Sequence, residues 1–279
     1  MGRMTATTAG PGTGTTRTDV PELRIDAVSL RFGGIQALDE VSFTVRPGTV
    51  HALIGPNGAG KSSCFNVISG LYRPTEGRVV LGETVLPELR PHRLAALGIG
   101  RSFQNIALSM HSTVLDNVML GRHALTHGGF LSGGFRLPWT VREERRHAAR
   151  AAEICAFLGL SHVVETPVGA LPYGLAKRVD VARALAVEPR ILLLDEPAAG
   201  LNAVETADMA ATIVDLRAAL DISVLLVEHD MGLVMGIADR VSVLDFGRLI
   251  ADGPPAAVRR DPEVVKAYLG TGENGECPR

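Results

Sequence analysis

The stretch that most constrains the fold of this chain is GPNGAGKS at residues 55–62. It follows the apolar run Val50–Ile54, which is typical of a buried strand, and a helix is predicted from Lys61 onward. A strand, a glycine-rich loop and a helix in this order are the context of a G-x-x-x-x-G-K-[ST] phosphate-binding loop. Glycines let backbone N–H groups close around phosphate oxygens, and the helix N-terminus adds the positive end of its dipole. The sequence therefore predicts a nucleotide-binding α/β protein.

The residues of this loop have distinct expected tasks. Lys61 is expected to reach the β- and γ-phosphates of the nucleotide, and the hydroxyl of Ser62 to hold Mg²⁺. The alternative is a glycine-rich turn that binds nothing, but a chance match in a chain of this length occurs on the order of one time in a hundred. The predicted ATP contacts within the loop are Gly55, Pro56, Asn57, Gly58, Ala59, Gly60, Lys61, Ser62 and Ser63.

An acidic motif lies at the end of a later apolar run. ILLLDE at residues 191–196 predicts a buried parallel strand that ends in two carboxylates. Asp195 is expected to face Mg²⁺, directly or through one of its ligands, and Glu196 to act on an attacking water as base or orienter. An acid after a strand is otherwise a helix N-cap. Two acids before Pro197, in a chain with a phosphate-binding loop, favour the catalytic interpretation.

Composition argues against several other classes of protein. The net charge is −2, so no basic surface and no nucleic-acid partner is indicated. Cys64, Cys155 and Cys277 are widely separated and predict neither a disulfide framework nor a metal site. No apolar run is long enough to span a bilayer, and the polar first residues are unlike a secretory signal. We therefore expect reduced thiols and a location in the cytoplasm.

The order of the elements predicts an α/β fold that contains an inserted helical region. Alternating runs between Leu23 and Val45 indicate antiparallel strands, and residues 105–185 carry helical patterns around a glycine-rich loop expected at 121–140. Buried strands then alternate with helices. The expected divisions are a disordered leader at 1–20, a nucleotide-binding domain at 21–270 with its core at 21–104 and 186–254, a helical subdomain at 105–185 and a C-terminal helix at 255–270, and a flexible tail at 271–279.

Four motifs in register resemble the ATP-binding subunits of ABC transporters over about residues 22–270. They are GPNGAGKSS, RSFQN with Gln104, LLLDEPAAGLN, and LLVEHDM with His229. Longer stretches are similar to the ATPase subunits of branched-chain amino acid importers: RFGG from Arg31, RSFQN, DEPAAGLN, EHDMGLVMGIADR and KAYLG. The resemblance implies a P-loop ABC-type ATPase core with an antiparallel β subdomain and an inserted α-helical subdomain.

The resemblance also assigns tasks to single residues. Phe32 is expected to stack on adenine, Gln104 to sense Mg²⁺ and the attacking water, and His229 to contact the γ-phosphate. Taken singly, Gln104 fits a solvated loop and His229 a cap at a strand end, but both lie in register with the other motifs. Asn202 stands where many ABC proteins have aspartate, which puts its contact across a dimer in doubt.

Two stretches compete for the signature that, in the family, contacts the ATP of a partner subunit. Leu131-Ser132-Gly133-Gly134 matches the common letters LSGG, but Pro138 follows closely, and the stretch lies about sixty residues before Asp195. LPYGLAKR at 171–178 precedes a predicted helix and then the strand from Ile191, as the family requires. We therefore interpret residues 171–178 as the signature stretch and 131–134 as a chance match.

The signature stretch departs from the common LSGGQ pattern. Pro172 replaces serine, Tyr173 the first glycine and Leu175 the glutamine, whereas Gly174 is kept. Proline removes a hydroxyl and an N–H donor but is tolerated at a helix start, where the N–H groups of Gly174 and Leu175 are expected to remain. Loss of one preorganised donor costs up to ~10²–10³ in rate, so we expect reduced but real hydrolysis.

Together these features favour the ATP-hydrolysing subunit of an importer for branched-chain or related amino acids, peripheral on the cytoplasmic face of the membrane. The resemblance implies membrane permease subunits, a second ATP-binding subunit in a homo- or heterodimer, and an extracytoplasmic substrate-binding protein as an indirect partner. One alternative is a soluble ABC ATPase of translation or DNA repair, and another is a weakly hydrolysing regulatory module, suggested by Pro172 alone. No guanine-reading or kinase motif accompanies the phosphate-binding loop.

Overall fold

The computed structural model describes residues 20–86, 91–102, 108–122 and 138–269. Within these ranges the chain forms one sheet of parallel character, one antiparallel sheet, and helices packed on both. The expected leader at 1–20 and tail at 271–279 lie almost wholly outside the described residues, as do Gln104 and the stretch 131–134.

The larger sheet has six strands in the order β10-β9-β3-β8-β7-β6. Neighbouring strands are parallel except β10, which forms an antiparallel hairpin with β9. The apolar runs β3, β7 and β8 are buried along their whole length, as strands covered on both faces must be. The strands are β3 (Val50–Ile54), β6 (Ile99–Arg101), β7 (Ile191–Asp195), β8 (Ser223–Val227), β9 (Arg240–Asp245) and β10 (Arg248–Gly253).

The smaller sheet is antiparallel and has the order β2-β1-β4-β5. Its strands are β1 (Leu23–Phe32), β2 (Ile35–Val45), β4 (Glu76–Leu81) and β5 (Thr84–Val85). A tight turn at Gly33, where φ is 58°, joins β1 to β2 and leaves Phe32 at the end of the hairpin. A turn at Gly82-Glu83 joins β4 to β5.

The two faces of the larger sheet are buried in different cores. Along β7, Ile191 and Leu193 pack into the core shared with the antiparallel sheet, whereas Leu192 and Leu194 pack into the core lined by the helices. This alternation follows from the two-residue repeat of a strand. The helices are α1 (Lys61–Ile68), α2 (Pro91–Ala96), α3 (Val114–Arg122), α4 (Pro138–Phe157), α5 (Tyr173–Leu185), α6 (Ala203–Leu220), α7 (Met231–Ile237), α8 (Pro255–Val258) and α9 (Pro262–Leu269), with 3₁₀ turns at Ser161–Val163 and Val168–Ala170.

The predicted loop at 121–140 is wrong at both ends. Helix α3 includes Gly121 and Arg122, and α4 starts at Pro138. Proline fits the first turn of a helix because the N–H it lacks would have no partner there. The C-terminal helix expected at 255–270 is instead two helices, each starting at a proline, since Pro262 cannot continue a helix from Val258.

No helix among the described residues combines the length and the apolar character needed to cross a membrane.

Candidate active site

The carboxyl ends of three neighbouring strands bring the predicted site residues to one edge of the larger sheet. Leu53 and Asp195 both stand opposite Val227 in the register, so the phosphate-binding loop, Glu196 and His229 all follow strands that end at the same level. These residues are far apart in the sequence. Parallel pairing therefore supplies the juxtaposition that a nucleotide site requires.

The phosphate-binding loop uses its glycines where no other residue fits. Gly55 has φ 151° and Gly60 has φ 98°. A Cβ at Gly55 would lie 2.2 Å from the carbonyl oxygen of Leu244, and one at Gly60 would lie 2.7 Å from that of Ala37. The close approach of these neighbouring backbones, together with the positive φ, excludes side chains at both positions. The exposed Asn57 and Gly58 form the rim of the loop.

Lys61 lies folded over the loop rather than in solvent. Its buried ammonium donates to the carbonyl oxygens of Gly55 at 2.6 Å and Pro56 at 2.9 Å. Burial lowers the pKa of Lys61, and the Glu196 carboxylate opposes that shift. The charge thus stands above the loop where phosphates are predicted to bind. Ser62 follows in the first turn of α1 and is exposed, while Ser63 is half-buried.

Asp195 is buried at the end of β7, and only one of its two carboxylate oxygens has a partner among the described residues. Its Oδ2 lies 3.6 Å from an Arg101 Nη, and its N–H donates to Ser102 Oγ. Its Oδ1 is buried and has no hydrogen-bond partner among the described residues. Burial raises the pKa of Asp195. The charge of Arg101 opposes this rise in pKa, and the Glu196 carboxylate adds to it. A buried carboxylate oxygen without a partner suits a hard cation such as Mg²⁺.

Glu196 has an unusual backbone conformation that aims it at the site. Its φ is 48°, in the left-handed region, and its N–H donates to Val227 O at 2.9 Å. Its Oε1 lies 4.0 Å from His229 Nδ1. Non-glycine residues adopt this conformation seldom, and at Glu196 it occurs within the predicted site. The predicted base and the predicted γ-phosphate contact are therefore neighbours.

A buried carboxylate that the sequence analysis did not single out positions His229. Glu228 is fully buried and accepts hydrogen bonds from the N–H of Ala198 at 2.8 Å and of His229 at 3.1 Å. Burial raises the pKa of Glu228 against the effect of these N–H groups. The signal was present in the sequence, since Glu228 follows a buried apolar run just as Asp195 ends one. The imidazole of His229 itself is 60% exposed and open to a ligand.

Phe32, at the end of the β1–β2 hairpin, has an aromatic neighbour. Its ring is 46% exposed and meets Tyr72 edge-to-face, with 5.1 Å between centroids. The two residues are forty apart in the chain, so no local sequence pattern pairs them. An exposed, braced ring matches what adenine stacking needs.

The signature stretch forms the start of α5. Pro172 is the N-cap residue, with φ −54° and ψ 147°, and provides no side-chain cap. The expectation that the Leu175 N–H remains available is wrong, because it donates to Pro172 O at 3.0 Å, as does the N–H of Ala176. Among the described residues, the N–H groups of Tyr173 and Gly174 in this first turn have no hydrogen-bond partner. Leu175 is instead partly buried in the helical core.

Asn202 acts as a helix cap within its own chain. Its Oδ1 accepts from the N–H groups of Val204 and Glu205 at 3.0 Å, and the Glu205 carboxylate accepts from the Asn202 N–H. This reciprocal capping box fixes the start of α6.

Comparison with known families agrees with this geometry. The family described as ABC transporter matches residues 38–199, and the family described as branched-chain amino acid ATP-binding cassette transporter matches residues 248–274. The chain belongs to the ABC transporter family. The predicted fold class and the prediction of an ATPase are thereby confirmed.

Individual relatives match the cassette almost from end to end. The high-affinity branched-chain amino acid transport ATP-binding protein BraF of Pseudomonas aeruginosa is 41% identical over 250 residues, which cover 90% of this chain and 98% of BraF. The ADP conformation of an ATP-binding cassette of an ABC transporter is 34% identical with a TM-score of 0.79, covering 90% of this chain and 99% of that chain. A dimeric bacterial ABC transporter cassette is 26% identical with a TM-score of 0.70, covering 84% and 98%.

Proposed function

We propose that this cassette is the ATP-hydrolysing subunit of an importer for branched-chain or related amino acids. The observation that carries the proposal is the convergence of Lys61, Asp195, Glu196 and His229 at one sheet edge in a chain of this family. The match of residues 248–274 to the branched-chain amino acid cassettes and the likeness to BraF support the transport class.

In the proposed reaction, the chain holds ATP by its phosphates and its base. The loop N–H groups and Lys61 bind the phosphates, and Lys61 exchanges its carbonyl partners for phosphate oxygens. Phe32 stacks on adenine, braced by Tyr72. Glu196 takes the proton of the attacking water, and His229, held by Glu228, contacts the γ-phosphate.

Asp195 and Ser62 are the residues that would hold Mg²⁺, together with Gln104 as the sequence predicts. Oxygen atoms are the ligands that Mg²⁺ prefers, and the Asp195 Oδ1 has no hydrogen-bond partner among the described residues. Once bound, the ion neutralises charge on the phosphates.

Each ATP is proposed to lie between the loop of one cassette and the signature stretch of a second. The open N–H groups of Tyr173 and Gly174, at the N-terminus of α5, would face the γ-phosphate bound by the partner cassette. The proposed partners are a second ATP-binding subunit, membrane permease subunits that hold the pair at the cytoplasmic face, and a substrate-binding protein that acts through the permease. Membership in the ABC transporter family and the likeness to BraF support this set.

The test is the recovery of the native complex in mild detergent, followed by reconstitution into vesicles. We expect permease subunits and a second cassette to copurify, and vesicles to take up one cargo in an ATP-dependent manner when leucine, an amide and urea are compared. Recovery of soluble partners alone would overturn the transporter proposal in favour of a soluble ABC ATPase.

Replacing Pro172 with serine should raise turnover relative to both the parent and the matched Pro172→Ala variant. Serine adds a side-chain acceptor at the N-cap of α5, worth ~1 kcal/mol, and a hydroxyl beside the proposed γ-phosphate. We expect a gain of about tenfold in kcat, below the ~10²–10³ of a single essential donor, because two N–H groups remain. Unchanged ATP turnover and transport in Pro172→Ser would show that the proline is not a defect.

A further inference from the structure

Lys177 is a buried cation for which the proposed reaction has no use. It lies one turn into α5, and its side chain is 3% exposed. Its ammonium donates to the carbonyl oxygen of Glu196 at 2.9 Å and stands 5.8 Å from the centre of the Tyr173 ring. Burying an ammonium is costly, and an apolar side chain would fill the same space without that cost. The charge therefore points to a task beyond packing.

The contact falls on the peptide that orients Glu196. That residue is held in the left-handed region at φ 48°. Its N–H donates to Val227 O from the sheet, and its carbonyl accepts from Ala199 N at 3.2 Å and from the Lys177 ammonium. Backbone strain of this kind persists only where surrounding contacts over-determine it. Of these three contacts, the one from Lys177 is the only one that comes from α5.

The first turn of α5 also packs directly on the turn that follows Glu196. A Cβ at Gly200, where φ is 79°, would lie 3.0 Å from Tyr173 Cε1, so the ring covers that glycine. A Cβ at Gly174 would meet the Glu205 carboxylate at 2.8 Å. The first turn of α5 therefore lies in direct contact with the turn at 196–200 and with Glu205 near the start of α6.

We propose that Lys177 is a positioning residue that holds the Glu196 peptide from the signature helix and thereby keeps the carboxylate aimed at the attacking water. The inference rests on the proposed function, because it assigns to Glu196 the part of base or orienter. Through Lys177, the position of the Glu196 carboxylate at the chain's own nucleotide depends on α5. The N-terminus of α5 is the one proposed to face the nucleotide bound by the partner cassette.

The matched variants are Lys177→Met, which keeps the length and apolar stem, Lys177→Arg, which keeps the charge and donors, and Lys266→Met as the control. Lys266 lies exposed on α9, outside the site. In the full chain within its membrane complex, Lys177→Met should lower kcat by about 10- to 100-fold, the size of effect that a misplaced catalytic group produces. The KM for ATP should stay within about twofold, because the loop and Phe32 are untouched. Lys177→Arg should recover a large part of kcat.

Thermal unfolding separates this from a purely structural task. In Lys177→Met the Glu196 carbonyl keeps the Ala199 N–H as a partner and the cost of a buried ammonium is removed, so Tm of the nucleotide-free chain should change little while activity falls. If Lys177→Met does not fold, Lys177→Gln, which is neutral and too short to reach Glu196, should show the same split of kcat and KM. Turnover of Lys177→Met equal to that of Lys266→Met overturns the inference, as does a loss that appears in KM alone. Absence of ATP turnover in the parent complex would instead overturn the proposed function.

Discussion

Replacing Glu196 with glutamine is expected to lower ATP turnover by about 10²–10⁴-fold, the contribution of a well-placed general base. Glutamine keeps the size of the side chain and the left-handed backbone but cannot accept the proton of the attacking water. The hydrogen bond from Glu196 N–H to Val227 O and the contact from Lys177 involve only the backbone, so they survive the change. ATP binding should therefore persist, and an ATP-stabilised dimer should accumulate.

Steady-state phosphate release and size-exclusion chromatography with ATP check this expectation. Glu263→Gln is the control, because Glu263 is an exposed acid at the start of α9 and should leave both readouts unchanged. A regulatory module with negligible chemistry would show the same low turnover in the parent and in Glu196→Gln. That outcome would contradict the assignment of Glu196 and favour the regulatory alternative.

The parts of the site that the sequence predicts are those carried by local patterns. GPNGAGKS can be recognised without knowledge of the rest of the fold. The positive φ at Gly55 and Gly60, and the backbone atoms close to both, require glycine at these two positions of one short stretch. ILLLDE is likewise local, because the apolar run predicts a buried strand and the two acids follow it directly. Strand β7 ends at Asp195, as predicted. The juxtaposition of these segments follows from the parallel sheet, which the alternation of strands and helices also predicts.

The parts that sequence analysis missed depend on contacts between distant segments. In the sequence, Lys177 is not distinguished from other charged residues on a helix. Its hydrogen bond to the Glu196 carbonyl, nineteen residues away in sequence, is found only in the structure. The pairing of Phe32 with Tyr72 likewise appears only when the antiparallel sheet meets the end of α1. In the sequence, Pro138 indicates a break in a helix, but the same chemistry makes proline a helix starter at the first position. Local rules fix what a residue permits, whereas tertiary packing decides which option is used.

Replacing Asp195 with asparagine should make the nucleotide-free protein more stable while it strongly lowers Mg²⁺-dependent turnover. Burial raises the pKa of Asp195 above its usual 3.8 even beside Arg101, so the ionised form is less favourable in the folded chain than in the unfolded one. The folded chain therefore binds more protons than the unfolded chain between these two pKa values. The stability contributed by Asp195 is complete below pH 3.8 and falls as pH rises through the raised value. Asparagine stays neutral and avoids that loss.

Arg101 keeps other partners in Asp195→Asn. Loss of its contact with the carboxylate therefore does not turn the expected gain in stability into a loss. One of its nitrogens donates to Asn66 Oδ1 at 2.8 Å, a second contacts Ser69 Oγ, and the guanidinium lies over the Phe65 ring at 4.8 Å. We expect a gain on the order of 1 kcal/mol without nucleotide, which corresponds to about 2–4 °C in Tm for a chain of this size. The asparagine cannot supply the anionic oxygen that suits Mg²⁺, so turnover should fall by at least about 10²-fold.

Differential scanning calorimetry across pH, with and without Mg²⁺ and ATP, distinguishes this account from a general effect of the substitution. The Tm advantage of Asp195→Asn over the parent should be present at pH 7 and should narrow as pH falls, because the parent carboxyl then becomes protonated as well. Mg²⁺ with ATP should raise Tm of the parent more than that of the variant, since the ion binds the native parent site. The exposed Asp215→Asn variant should follow the parent throughout. A lower Tm for Asp195→Asn at pH 7 would mean that the Arg101 contact outweighs burial, and that the carboxylate serves the fold rather than the ion.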